Sequence, residues 1–316
     1  RAKQTTNSDI WAKNKGQNKW SLGWVNVLQN IIRLNSTLKE EMAKSVTNRI
    51  MDILYEDVPE NATYLLKYQP ELFKDSTEEE YIETLCTALQ TSLANRLYQF
   101  AYIQEHMIFM TAIYFVCVKI SIIKEEEFKN ALYYILKDRY SDFFSSSNTK
   151  EGQLYFGSFA RINESDVFLL LKIIGMDSNL EGELKKLVEE RNKYAHANGN
   201  ILITSRKLIE EKIEKYNNTI ERVFCLLKPL ILKLYETTLV NSNFYDEDIR
   251  AYSDANIQIQ EEFVRIYSLS RIELNWCRKF NIKQFANHSN YSQIKELHIE
   301  LCNYYKTLDE YSDEEE

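Results

Sequence analysis

The sequence predicts an all-α protein, and three observations predict it. Seven glycines and three prolines stand among 316 residues, roughly a 3% share against a usual ~12%. The loops of sandwiches, barrels and doubly wound sheets need many more. Apolar residues recur at helical spacing along most of the chain. Hydrophobic residues make up 44% and charged residues 27%, so long helices with few connections have the material to bury a core. Disordered, collagen-like and low-complexity classes are excluded.

The elements follow in order. Leu22, Trp24, Leu28, Ile31 and Ile32, then Leu38, Met42, Val46, Ile50 and Leu54, keep a helical phase, with a break and a new N-cap at Asn35-Ser36. Pro59 and Pro70 bracket a loop or short helix. Thr77 with Glu80 matches a capping box and opens a helix carried by Leu85, Leu89, Leu93, Leu97 and Ala101. The apolar run from Met107 to Val118, closed by Lys119, is shorter than the ~20 residues of a membrane span. It reads instead as a helix buried on most sides, and no membrane partner is expected.

Phe128, Leu132, Ile135 and Leu136 mark one more helix, ending near Phe144. Ser145 to Gly152 is the clearest linker. Asp166 to Ile174 forms a short helix ending at Gly175, and Glu181 to Ala197 a helix ending at Gly199, each glycine suiting a left-handed cap. Ile201 to Thr204 is a short extended piece. Ser205 caps a long helix with Ile209, Ile213, Tyr216, Ile220, Val223, Leu227, Leu230 and Leu234 on its apolar face, kinked at Pro229. Asp254–Phe280 and Ser292–Leu308 supply two more helices, and the acidic tail is solvated and disordered.

A net charge of −8 argues against a broad basic surface that coats nucleic acid. Six of the acids lie between Asp309 and Glu316, leaving the remainder at −2, so a small cationic cleft is allowed. The five cysteines (Cys86, Cys117, Cys225, Cys277, Cys302) are scattered without CxxC spacing and read as reduced, buried thiols of a cytoplasmic protein. No signal peptide, zinc pattern or Gly-rich phosphate loop is visible, and neither metal nor cofactor is expected.

Chemistry concentrates in one segment, from Leu184 to Gly199. On a helix, Leu184, Val188, Arg191 and Ala195 fall within about 60° of arc, flanked by Leu187, while Lys185, Lys186, Glu189, Glu190 and Lys193 face solvent. Arg191 therefore occupies a phase where leucine belongs, and a guanidinium there needs a partner or a wet cleft. Asn192 and His196 are four apart, so Asn192 can hold the imidazole in one tautomer. A cation, a titratable base and an amide in one stretch suit attack of an RNA 2′-hydroxyl on its neighbouring phosphodiester. Histidine serves either proton step and arginine binds the phosphoryl oxygens, with no metal required. Arg191 and His196 lie about 140° apart on an ideal helix. Either the helix distorts towards Gly199, or two copies pool their residues across a two-fold interface; the dimer is the preferred arrangement.

Arg191-Asn192-Lys193-Tyr194-Ala195-His196, with the apolar turns before it and Ala197-Asn198-Gly199 after it, resembles the R-x4–6-H motif of the HEPN superfamily. The resemblance implies an antiparallel helical bundle with additional flanking helices, usually dimeric. It also implies a metal-independent endoribonuclease of toxin–antitoxin, CRISPR-associated or abortive-infection type. Arg191 and His196 would be catalytic, and Asn192 the polar residue that follows the arginine; apart from the resemblance, the place of Tyr194 within the motif makes it the expected substrate-binding flank of the cleft. The expected partners are single-stranded RNA or tRNA loops, a second copy of the chain, and a regulatory or antitoxin protein. Where some members carry Tyr two positions after the histidine, this chain has Asn198. The domains expected are an N-terminal helical extension (1–76), the bundle with the motif (77–242) and C-terminal helices with the acidic tail (243–316).

A reading from a different class is a non-catalytic helical adaptor in which Arg191 pairs with an acid between helices and His196 caps a helix end. The remaining histidines read as structural: His106 as a hydrogen-bonded core residue or a proton relay, His288 as a loop residue, His298 as solvent-facing. Arg161, Arg206 and Lys207 are weaker candidates for phosphate contacts, and the 21 tyrosines are mostly packing residues.

Overall fold

The longest apolar stretch of the chain organises the fold. In the computed structural model, which describes residues 60–145, 148–150, 152–195 and 203–313, the described residues are helical, with only two isolated bridges, Pro70–Ser270 and Lys150–Gln153. The chain divides into units 1–56 and 57–316, and the described residues all belong to the second. The helices expected over residues 22–54 lie outside them.

After a 3₁₀ segment, Glu60–Tyr68, helix α1 spans Ser76–Ala94 and α2 spans Tyr98–Ile123. Every residue of α2 from Ile108 to Ile120 is buried, because α1 and a long helix, α7 (Arg206–Val240), both pack against it. By length and composition α2 could cross a membrane, yet most of it is buried inside the structure. Lys119 closes the apolar run but not the helix, which carries it inward and pairs it with Glu273. The capping expectation at Thr77 is corrected too. Asp75 is the N-cap and accepts from Thr77 N at 2.6 Å, its carboxylate doing at the preceding turn what the threonine hydroxyl was expected to do.

Helix α3 (Glu125–Leu136) passes through a 3₁₀ turn into α4 (Tyr140–Phe143). Beyond the linker, α5 (Glu164–Val167) continues as a 3₁₀ segment, Phe168–Ile174, and stops at Gly175, whose φ of 95° is the left-handed cap anticipated. Helix α6 spans Ser178–Ala195. Ser205 caps α7 by accepting from Leu208 N at 3.3 Å, and α7 continues as one helix through Pro229.

The single helix expected over 254–280 is two. Helix α8 (Ala255–Ile259) widens into a π-helical stretch, Gln260–Arg265, and the chain turns at Ser268 with φ 48°. A capping box of Ser270 and Glu273 then opens α9 (Arg271–Arg278). Periodicity alone passes over such a break because the apolar phase resumes after it. Helix α10 spans Tyr291–Asp313, so most of the acidic tail is helical.

Two side-chain expectations also change. His298 faces inward: its Nδ1 lies 2.9 Å from Tyr235 Oη, and burial lowers its pKa. Cys225 is exposed, whereas Cys117 and Cys277 are buried; all five thiols are free.

Candidate functional site

The site grows from the last two turns of α6. Asp177 starts the helix by accepting from Leu180 N at 2.8 Å. Leu180, Leu184, Leu187 and Val188 then bury one face. Arg191 is the next residue in that phase, and its side chain remains 24% exposed. Its Nη2 donates to Oε1 of Glu164, the first residue of α5. Its Nε is buried and finds no hydrogen-bond partner among the described residues.

Glu164 has a second neighbour. Its Oε2 lies 3.1 Å from Nε2 of His106 on α2, and His106 Nδ1 lies 2.9 Å from Tyr216 Oη on α7. Burial lowers the His106 pKa, and Arg191 adds to that; the Glu164 carboxylate opposes it without prevailing. The imidazole is therefore neutral, and one assignment satisfies every atom. Tyr216 O–H donates to Nδ1, and Nε2–H donates to Glu164. For Glu164, burial works against the charged form, but the hydrogen bonds from His106 and Arg191 and the charge of Arg191 outweigh it and hold its carboxyl below the usual range. One carboxylate thus joins α6 to α2 and, through the imidazole, to α7.

The residue before Arg191, Glu190, does not face open solvent as its helical phase predicts. It accepts from Lys212 at 3.0 Å and from Lys215 and Tyr102 at 3.5 Å each. Burial opposes its charge, but these lysines prevail and lower its pKa. Tyr194 meets the Tyr102 ring edge-on, centroids 5.0 Å apart, with Lys212 Nζ 5.6 Å from its own ring centre. Its carbonyl accepts from Gln99 Nε2 at 3.1 Å. A groove of about 290 Å³ between α6 and α7, lined by Glu183, Lys186, Leu187, Glu190 and Lys215 among others, opens beside Glu190 rather than at Arg191.

Of the residues singled out in the sequence, Arg191, Asn192 and Tyr194 share the final turn of α6, Asn192 half-buried beside the arginine. His196 lies outside the described residues, and so does its meeting with Asn192. His106 takes the hydrogen-bonded core position anticipated for it. Glu164 was missed. The only signal for it was the demand of a core-phased guanidinium for an acid, and nothing in the spacing says which acid, because the partner stands 27 positions upstream.

Chemically, the described part of the site offers an oriented guanidinium with an accessible side. Neither nitrogen of His106 is available for acid–base work, since both are engaged and the ring is buried. Among the described residues no group of three or more His, Cys, Asp or Glu is placed to hold a metal ion. No family model, no curated protein and no solved structure matches this chain.

Proposed function

We propose that the chain is a metal-independent endoribonuclease of HEPN type, acting in a toxin or antiviral-defence system in the cytoplasm. Arg191 binds the phosphoryl oxygens of a single-stranded RNA or tRNA loop. His196, assigned from its sequence spacing, takes the 2′-hydroxyl proton or returns one to the leaving 5′-oxygen. Asn192 holds the imidazole and Tyr194 flanks the strand, with a second copy of the chain completing an antiparallel helical bundle dimer around the cleft.

The observation that carries this reading is the state of Arg191. A guanidinium in a leucine phase is costly in a dry core. Here it emerges beside a single carboxylate with a quarter of its side chain exposed, which is where a phosphate can reach it. The same ion pair also favours the adaptor reading, since Glu164 and Arg191 tie two helices together.

The two separate in one experiment. Purified protein is incubated with RNA in EDTA, alongside Arg191→Ala and His196→Ala. The nuclease reading expects cutting by the parent and a loss of at least a hundredfold in each variant, on the order seen when one charge-stabilising or proton-transferring group is removed. Cutting that survives His196→Ala, or that depends on Mg²⁺, overturns it. Inert parent protein together with thermal midpoints lowered by several degrees in both variants supports the adaptor.

A further inference from the structure

The Arg191 side chain is not held by its own helix. It is held by Glu164, and Glu164 is held by a buried imidazole that is itself fixed by a tyrosine of a third helix. We infer that Glu164 is the residue that positions Arg191 for a phosphate, with His106 and Tyr216 as its struts. This rests on the reading of Arg191 as a phosphate-binding side chain.

Three features carry the inference. Each oxygen of Glu164 has its own donor, Oε1 the guanidinium and Oε2 the imidazole, so the carboxylate cannot rotate without losing one of them. His106 is 1% exposed with both ring nitrogens used, so it serves as a fixed support and not as a base. Arg191 Nε is buried while its side chain keeps an open part, so the plane of the guanidinium is set before a ligand arrives. An arginine ordered in advance loses less freedom on binding and meets a transferring phosphoryl group in one orientation.

The charge of Glu164 works against an incoming phosphate, whereas its shape and hydrogen bonds work for it. That asymmetry gives the test. Glu164→Gln keeps a carbonyl acceptor for Arg191 and removes the charge; Glu164→Ala removes both. The full-length protein and these two variants are compared by ¹⁵N relaxation of the Arg191 Nε–H, assigned with Arg191→Lys, and by kcat and KM for RNA cleavage in EDTA.

We expect Glu164→Ala to lower the Arg191 order parameter from about 0.85 to below about 0.6. We expect it to cut kcat roughly a hundredfold, the size expected for a misplaced group, with KM changed far less. Glu164→Gln should keep the arginine ordered and recover most of kcat. An Arg191 as rigid in Glu164→Ala as in the parent overturns the inference, as does equal loss of kcat in the Ala and Gln variants. Should the parent cut no RNA at all, the nuclease reading fails, and the relaxation measurement still decides whether Glu164 orders Arg191.

Discussion

Two acid–cation contacts are built against α2, and they differ in what they leave open. Lys119 and Glu273 are both fully buried, with Nζ 2.6 Å from Oε2. The same Oε2 accepts from Ser270 N and Oγ at 2.8 and 2.7 Å. Burial lowers the Lys119 pKa against the pull of Glu273. Arg191 and Glu164 keep 24% and 20% of their side chains exposed. The first pair has no route to solvent and nothing to offer a ligand; it fixes α9 to α2. The second holds a cation in place while leaving part of it reachable. A sealed pair is what a purely structural role looks like in this molecule, and the motif arginine does not share that form.

Variants at the sealed pair should give the largest effect. Lys119→Ala leaves the Glu273 carboxylate buried without its cation and should cost about 3–5 kcal/mol, read from urea unfolding. Lys119→Met combined with Glu273→Leu should recover most of that, since replacing both partners removes two buried charges. A loss under about 1 kcal/mol in Lys119→Ala would mean that water reaches the pair, and the contrast would collapse.

Next in size is Glu105, which neighbours His106 on α2 and is fully buried with neither carboxylate oxygen hydrogen-bonded. Burial pushes its pKa well above the usual range. The native state therefore keeps a proton that the unfolded chain releases above about pH 4.3, so this group's contribution to stability falls as pH rises beyond that point. Glu105→Leu should raise stability at pH 8 by about 1–3 kcal/mol and flatten the slope between pH 5 and 8. An unchanged slope would place a hydrogen-bonding partner at Glu105 and weaken the account of α2.

Arg191→Ala should cost about 1 kcal/mol, as suits a partly exposed pair, or a thermal midpoint lower by about 2–4 °C. A drop as large as that of Lys119→Ala would make the two pairs alike and remove the reason to treat Arg191 as a ligand-binding group. Glu78 gives an effect confined to high pH. Burial pushes its carboxyl from 4.5 up to about 7, with Asp75 adding and Lys150 and Lys74 opposing. Its contribution is full below the unfolded value and is lost as pH rises through about 7. Glu78→Gln should shift the midpoint slightly upward at pH 8 and not at pH 4.

Much of the fold was legible because helices announce themselves locally. Scarce glycine and proline excluded turn-rich folds, and the Ser205 cap and the Gly175 stop lie where local chemistry puts them. What was not legible depended on distant residues. Lys119 reads as the close of the apolar run, and its burial depends on Glu273, 154 positions away, which supplies a countercharge. The break between α8 and α9 is set by a π-helical turn and a positive φ at Ser268, neither of which disturbs the hydrophobic period. At the site, the phase of Arg191 was readable and the need for an acid followed from it. That Glu164 is the acid, and that His106 and Tyr216 hold it, required the packing of α2, α5, α6 and α7 together.

The proposed chemistry is attack by a nucleotide's own 2′-hydroxyl on a phosphate held by Arg191. It is tested most directly by analysing the ends made in EDTA from a short RNA and from the same strand carrying 2′-deoxy substitution at the cut nucleotide. A 2′,3′-cyclic phosphate is expected from the first and no cut at that position in the second. A 5′-phosphate product, cleavage of the deoxy position, or no cleavage of either strand would contradict it.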